Sequence, residues 1–190
     1  MNTAVLFYIP NLVNYLRLLL IISSIYLHGN LFLLVYTISS SIDLIDGTIA
    51  RSLNQTSKLG ACLDMFTDRL TTTIIVCKIL ERKRSKSMIL LLFIDLLSHM
   101  LLFTSSMAVN VSHKEPILSM LKVYYQKVVL VLLCVGTEVY YVMKYLDTYK
   151  KVNKNVILLF YTFLIVKSFF HFLQLIEGMC RLSDLDGGKN

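Results

Sequence analysis

The chain has 190 residues, of which 56% are hydrophobic, and its mean hydropathy is +0.66. Soluble domains are usually about 45–50% apolar, so this composition excludes an ordinary soluble domain and indicates an integral membrane protein. The formal net charge is +7. The basic residues lie at the ends of apolar segments and in loops, which is typical of contact with anionic lipid headgroups and argues against a nucleic-acid partner.

Six apolar segments follow one another along the chain, each long enough for a membrane-spanning helix. A hydrocarbon core about 30 Å thick needs roughly 20 residues per helix, and the alternating segments of about 10 residues that a membrane β-barrel needs are not found. The predicted helices are Leu12–Leu27, Leu31–Ala50, Leu59–Leu80, Ser87–Val109, Lys127–Leu146 and Val156–Met179. The sequence therefore predicts an all-α integral membrane protein with six transmembrane helices. It predicts one membrane-embedded domain over residues 1–190, with a polar C-terminal tail from about residue 182 to residue 190.

Four aspartates interrupt the second and third predicted helices. Asp43 and Asp46 are three residues apart, and Asp64 and Asp68 are four apart, so each pair lies on one face of its helix. A charged side chain in hydrocarbon costs about 3 kcal/mol or more, and an acidic residue in a span is by default a functional candidate. Four converging carboxylates repel one another and need a counter-charge. Hard divalent cations such as Mg²⁺ or Mn²⁺ suit oxygen ligands of this kind.

Small residues and an arginine accompany these aspartates. Gly47, Ala50 and Gly60 would let a bulky group approach the backbone, and the guanidinium of Arg51 suits a phosphate. The combination favours a diphosphate that is bound through metal, with one carboxylate available as a base. The alternative interpretation is that individual aspartates cap helices or pair with nearby basic side chains.

The stretch from residue 43 to residue 68 matches the pattern D-x2-D-G-x2-A-R-x8-G-x3-D-x3-D without exception. This pattern resembles the signature of the CDP-alcohol phosphotransferase family. The resemblance implies a six-helix membrane fold, a homodimer and a site for two metal ions. It also implies transfer of a phosphatidyl or similar group from a CDP-linked donor to an alcohol, with release of CMP.

By position in the signature, the resemblance also implies roles for individual residues. The implied metal ligands are Asp43, Asp46, Asp64 and Asp68. Asp68 would in addition serve as the general base. Gly47, Arg51 and Ser57 would bind the donor, CDP-diacylglycerol.

Further stretches bear on the acceptor alcohol. The stretches YIPNLVNYLR, LNQTSKLGACLDMFTDR, DLLSH, SHK and YY resemble eukaryotic members of the family that join CDP-diacylglycerol to myo-inositol. The tyrosine pair is followed here by Gln-Lys, where those members usually carry an arginine a few residues on. The candidate residues of the acceptor site are Lys127, His113, Lys114 and Asp95.

The same resemblance implies a location in the endoplasmic reticulum membrane, with the active site facing the cytosol. The charge distribution gives no independent orientation. With six spans, eight Lys and Arg residues belong to each of the two faces, so the positive-inside rule favours neither.

Two other functions remain open at the level of the sequence. The first is the same chemistry with another acceptor, such as glycerol 3-phosphate, serine or inositol phosphate. A phosphorylated acceptor would need further arginines near the site, and the chain offers few beyond Arg51. The second is a membrane cation transporter whose aspartates line an ion path. That function would explain the acidic residues but not Gly47, Ala50, Arg51 and Gly60.

Overall fold

The structure, a computed structural model, describes residues 3–109 and 116–187, including all side chains in these ranges except those of residues 44–46 and 109. Every element in these ranges is a helix, which confirms the predicted all-α class. A short 3-10 helix, Thr3–Phe7, precedes seven α-helices. These are α1 (Ile9–Ser24), α2 (Gly29–Ser52), α3 (Lys58–Leu80), α4 (Lys86–Val109), α5 (Ser119–Tyr124), α6 (Lys127–Leu146) and α7 (Lys154–Gly187). They form two compact units that divide after Lys78, and the single domain stays a prediction.

The six predicted helices are all present, and α6 has the predicted bounds. The largest difference is at the end of α7, which continues to Gly187. The polar segment from residue 182 to residue 187, expected as a tail, is therefore helical, and residues 188–190 lie outside the described ranges. Helix α5 lies in the connection between α4 and α6 and was not predicted, because six residues are too few to show a helical period.

Four of the described helices are long and apolar enough to cross a membrane: α2, α4, α6 and α7. The protein is therefore membrane-embedded, and the count of six spans stays a prediction. Helix α1 is apolar but has only 16 residues, or about 24 Å at 1.5 Å per residue, which is less than the hydrocarbon thickness. Helix α3 is long enough but carries Asp64, Asp68 and three basic residues within its length.

The first unit, residues 1–78, is built on the packing of α1 against α2. Phe32 and Tyr36 of α2 and Ile75 of α3 are buried in it. Near the end of α3, the buried Lys78 donates a hydrogen bond of 2.6 Å to the carbonyl oxygen of Ile25, just beyond α1. Its ammonium group also lies 5.9 Å from the centre of the Phe32 ring. This contact gives a buried cation a partner and links α3 to the end of α1.

The second unit, residues 79–190, is built on α7, which packs against both α4 and α6. At the crossing with α4, a Cβ atom on Gly178 would lie 2.9 Å from the backbone nitrogen of Leu102. Small residues allow two membrane helices to approach this closely. The glycine therefore sets the separation of the two helices.

Candidate active site

A short turn joins α2 and α3, the two helices that carry the signature aspartates. Asn54 adopts a left-handed conformation with φ of 52°. The N–H of Gln55 donates to the carbonyl of Ala50 at 2.9 Å, and the N–H of Asn54 donates to that of Arg51 at 3.3 Å. This is the Schellman pattern that ends a helix, and asparagine is one of the few residues that accept the left-handed position.

Helix α3 begins directly after this turn because Ser57 caps it. The Ser57 hydroxyl accepts a hydrogen bond of 2.9 Å from the N–H of Gly60, which satisfies a donor that the first helical turn leaves without an intrahelical partner. The turn is also tied to α1, since the side-chain oxygen of Gln55 accepts a 2.8 Å hydrogen bond from the N–H of Ile9. Three helices of the first unit therefore meet at this turn.

Three of the four signature aspartates converge. Asp43 of α2 and Asp64 and Asp68 of α3 each offer a carboxylate oxygen, and these oxygens lie within 4.8 Å of one another. All three side chains are partly exposed, so a ligand from outside can reach them. The side chain of Asp46 lies outside the described part of the chain, and its membership of the cluster stays a prediction.

Arg17 of α1 lies among these carboxylates. Its Nη2 is 2.7 Å from Asp43 Oδ1 and 2.9 Å from Asp68 Oδ1. Its Nη1 is 3.3 Å from Asp64 Oδ1. The Arg17 side chain is 1% exposed, so it is a buried cation whose charge is balanced by the cluster.

A cavity of about 160 Å³ lies beside the cluster within the first unit. Helix α1 contributes Pro10 and Asn14 to its wall. The remaining lining residues belong to the signature region: Gly47, Ala50, Arg51, Gln55, Thr56, Ser57, Gly60, Ala61 and Asp64. The three residues predicted to bind the donor are thus brought together in one wall, and Asp64 belongs to both the cavity and the cluster.

The donor set of the cluster fits a hard divalent cation. Its three carboxylates supply oxygen atoms only, which is the ligand type that Mg²⁺ and Mn²⁺ prefer in proteins. Three carboxylates against one guanidinium also leave excess negative charge when all four groups are ionised. The residues present can therefore hold a metal ion, and the identity of that ion is left to experiment.

The candidate acceptor residues that the structure describes lie in the second unit. Lys127 is exposed at the first position of α6. Asp95 of α4 is buried, and its Oδ1 lies 3.2 Å from Nδ1 of His99 and 3.2 Å from Nδ1 of His171 on α7. The group thus joins two helices, and its donor atoms are also close enough to hold a metal. His113 and Lys114 lie outside the described residues.

The residues that sequence reasoning missed in the first unit are Arg17 and Asn14. A signal for Arg17 was present, because an arginine inside an apolar helix needs a counter-charge and the signature aspartates are the first acidic residues along the chain. Asn14 offered no comparable signal. Its role depends on the direction in which α1 presents it, which only the folded chain fixes.

Membrane-length helices and a convergent aspartate centre beside a cavity define the class of the chain: a helical membrane protein with a carboxylate cluster that can hold a metal ion. The sequence profile of the CDP-alcohol phosphatidyltransferase family matches residues 7–176, and the chain belongs to this family. The family expected from the signature is thereby confirmed.

Three curated relatives carry the name CDP-diacylglycerol–inositol 3-phosphatidyltransferase. The protein of this name from Schizosaccharomyces pombe is 34% identical over 152 residues, which are 75% of this chain and 64% of the relative. The Saccharomyces cerevisiae protein is 36% identical over 155 residues, which are 76% of this chain and 70% of the relative. The Rattus norvegicus protein is 33% identical over 157 residues, which are 76% of this chain and 72% of the relative. The chain thus spans about two thirds of the length of these relatives, and no solved structure matches it.

Proposed function

We propose that this protein transfers the phosphatidyl group of CDP-diacylglycerol to myo-inositol, giving phosphatidylinositol and CMP. The family and the printed name of the relatives support this reaction. The observation that carries the proposal is the position of Asp64, which lies in the carboxylate cluster and also lines the cavity. A diphosphate bound in that cavity would lie against the cluster.

The donor binds in this cavity through Gly47, Arg51 and Ser57. Gly47 lies beside the Arg51 guanidinium, because a Cβ atom there would be at an ordinary contact distance of 3.5 Å from Nη1 of Arg51. The Arg51 guanidinium offers a planar pair of donors to phosphate oxygens. The exposed position of Arg51 leaves it available to a ligand from outside.

The metal ligands are Asp43, Asp46, Asp64 and Asp68, which hold Mg²⁺ or Mn²⁺, and the family resemblance implies two ions. When bound, the metal supplies positive charge that neutralises the diphosphate and the phosphate of departing CMP. Of these four, the three whose side chains are described converge, which is the arrangement that the proposal needs.

Asp68 acts as the general base. Its side chain is 30% exposed, so an acceptor hydroxyl can reach it. The carboxylate takes the hydroxyl proton while the acceptor oxygen attacks the phosphorus that carries diacylglycerol, and the bond from that phosphorus to the CMP oxygen breaks. One P–O bond forms and one breaks, without a covalent enzyme intermediate.

The acceptor is an uncharged alcohol in this proposal. A phosphorylated acceptor would need additional arginines, whereas Arg17 is already engaged by three carboxylates. The acceptor contacts remain proposals for Lys127, His113, Lys114 and Asp95. The location in the endoplasmic reticulum membrane, the active site facing the cytosol and the homodimer rest on the family resemblance alone.

The test is CMP release from CDP-diacylglycerol by membranes that contain the protein, with Mn²⁺ or Mg²⁺ present. The acceptors compared are myo-inositol, inositol phosphate, glycerol 3-phosphate and serine. Release with myo-inositol alone is expected. Asp68→Asn should lower the rate by about 10²- to 10⁴-fold, the usual contribution of a general base, and Asp184→Asn, an exposed residue of α7, serves as the control. CMP release with another acceptor would show that this acceptor, and not myo-inositol, is the substrate. Metal binding without CMP release would support a transporter.

A further inference from the structure

We propose that Arg17 is a positioning residue of the metal centre, whose guanidinium fixes the carboxylates of Asp43, Asp64 and Asp68 in the geometry that binds metal. This inference rests on the proposed function, because it takes the aspartate cluster as the metal site. Arg17 is outside the signature that runs from residue 43 to residue 68, and it reaches the cluster from another helix.

One guanidinium holds carboxylates from two helices. Arg17 extends from α1 and contacts Asp43 on α2 and both Asp64 and Asp68 on α3, at 2.7, 3.3 and 2.9 Å. The planar, five-donor fork of arginine can bind acceptors in several fixed directions at once, whereas the lysine ammonium acts as a point charge on a flexible stem. The relative positions of the three carboxylates therefore depend on this one side chain.

The direction of the guanidinium is set by its own helix. Arg17 Nη1 donates a 3.1 Å hydrogen bond to Oδ1 of Asn14, one turn earlier on α1. The amide of Asn14 in turn donates to the carbonyl oxygen of Pro10 at 3.3 Å. Both Asn14 and Arg17 are buried. A side chain held this way loses little further freedom when it binds the carboxylates, so it can act as a rigid support.

A carboxylate that accepts a hydrogen bond through one oxygen can still bind a metal ion through the other. Each of the three ion pairs involves one oxygen of its carboxylate, Oδ1, and an ionised carboxylate has two oxygens with about four acceptor sites in all. Groups that hydrogen-bond to metal-ligating carboxylates fix their orientation, and removing such a group usually weakens metal binding 10- to 100-fold. The same change is expected when Arg17 is removed.

A purely structural role would give a different result. Arg17 could simply join three helices, as the buried Lys78 joins α3 to the carbonyl oxygen of Ile25. Lys78→Met therefore serves as the matched control, since it also removes a buried cation from the first unit. A structural role would lower the melting temperature in both variants without changing metal affinity.

The experiment measures Mn²⁺ binding to the full-length protein in detergent micelles, after chelation, by calorimetry and by the shift in melting temperature. Arg17→Met should raise the Mn²⁺ dissociation constant 10- to 100-fold. Arg17→Lys, which keeps the charge but loses the fork, should raise it less. Lys78→Met should melt at a lower temperature and bind Mn²⁺ like the wild type.

An Arg17→Met dissociation constant equal to or below that of the wild type would overturn the proposal. If that variant does not fold, Arg17→Lys decides, and unchanged binding there would overturn it as well. Asp64→Asn distinguishes a failure of the proposed metal centre from a failure of the proposed role of Arg17. If it binds Mn²⁺ like the wild type, the proposed metal centre fails and this inference fails with it. Loss of binding in Asp64→Asn with normal binding in the Arg17 variants would reject the role of Arg17 alone.

Discussion

Gly60 is the glycine at the start of α3, and it lies against a side chain of α1. A Cβ atom at this position would lie 2.8 Å from Oδ1 of Asn11 and 3.1 Å from Oγ of Ser57. The first contact involves a buried side chain whose amide group already donates to the carbonyl oxygen of Val5 at 2.6 Å, so it has little freedom to move. The second involves the residue that caps α3. The glycine therefore preserves both the start of α3 and the wall of the cavity.

Gly60→Ala should consequently destabilise the protein and weaken donor binding. Overpacking of this kind usually costs about 1–3 kcal/mol, which corresponds to a fall of about 2–10 °C in melting temperature for a chain of this size. The KM for CDP-diacylglycerol should rise because the cavity wall shifts. The control is Gly187→Ala, where no atom lies within 4 Å of the added Cβ. Equal melting temperatures for the two variants would contradict the close packing at Gly60.

The short helix α5 is held by Glu177 of α7. The two carboxylate oxygens accept hydrogen bonds from the N–H groups of Ile117 and Leu118 at 3.1 and 3.2 Å, just before α5 begins. Arg181 Nη2 pairs with the same carboxylate at 2.6 Å, and its Nη1 donates to the Ser106 hydroxyl of α4 at 3.2 Å. Both charged side chains are buried. One ion pair therefore joins α4, α5 and α7 within the second unit.

Glu177→Ala should be strongly destabilising because it leaves the Arg181 charge buried without its carboxylate. Breaking a buried pair from one side usually costs about 3–5 kcal/mol. The double variant Glu177→Ala/Arg181→Met should be less destabilised than Glu177→Ala alone, since it removes both charges. The two variants are compared by their free energies of unfolding in mixed micelles. Asp184→Ala, at an exposed position, serves as the control. A double variant that is destabilised as much as Glu177→Ala, or more, would contradict the coupling between the two buried charges.

The elements differ in how much of them the sequence could predict. Length and apolarity were enough for the six long helices, because a membrane span needs about 20 residues whatever its neighbours are. Helix α5 depends on Glu177, a residue more than 50 positions away in the chain, so the sequence near α5 does not predict this helix. The convergence of Asp43, Asp64 and Asp68 was predictable from the spacing of the aspartates. Arg17 was not assigned to them, because its distance in sequence concealed a contact that only the fold creates.

At the scale of the whole molecule, the number of spans is decided by α1 and α3. Both contribute charged or polar side chains to the site, and the same side chains lower their apolar character, so composition alone does not settle whether they cross the membrane.

In the second unit, Lys83 donates to the Asp147 carboxylate at 2.6 Å. This hydrogen bond lowers the pKa of the Asp147 carboxyl and so favours its ionised form. The connections that precede α4 and α7 therefore lie at the same end of their unit.

Labelling of single cysteines should distinguish six spans from a smaller number. The experiment starts from a variant in which Cys62, Cys77, Cys134 and Cys180 are replaced by alanine, and an impermeant thiol reagent is applied to sealed vesicles. Ser87→Cys and Lys151→Cys, both at exposed positions, should be labelled from the same side, because α4 and α6 each cross once between them. Ser52→Cys, at the exposed end of α2, should be labelled from the opposite side if α3 also crosses, as the six-span prediction requires.

Labelling of Ser52→Cys and Ser87→Cys from one side would show that α3 does not span the membrane. In that case the charged side chains of α3 would place it along the membrane surface, and the aspartate site would be reached from the same side as the connection before α4.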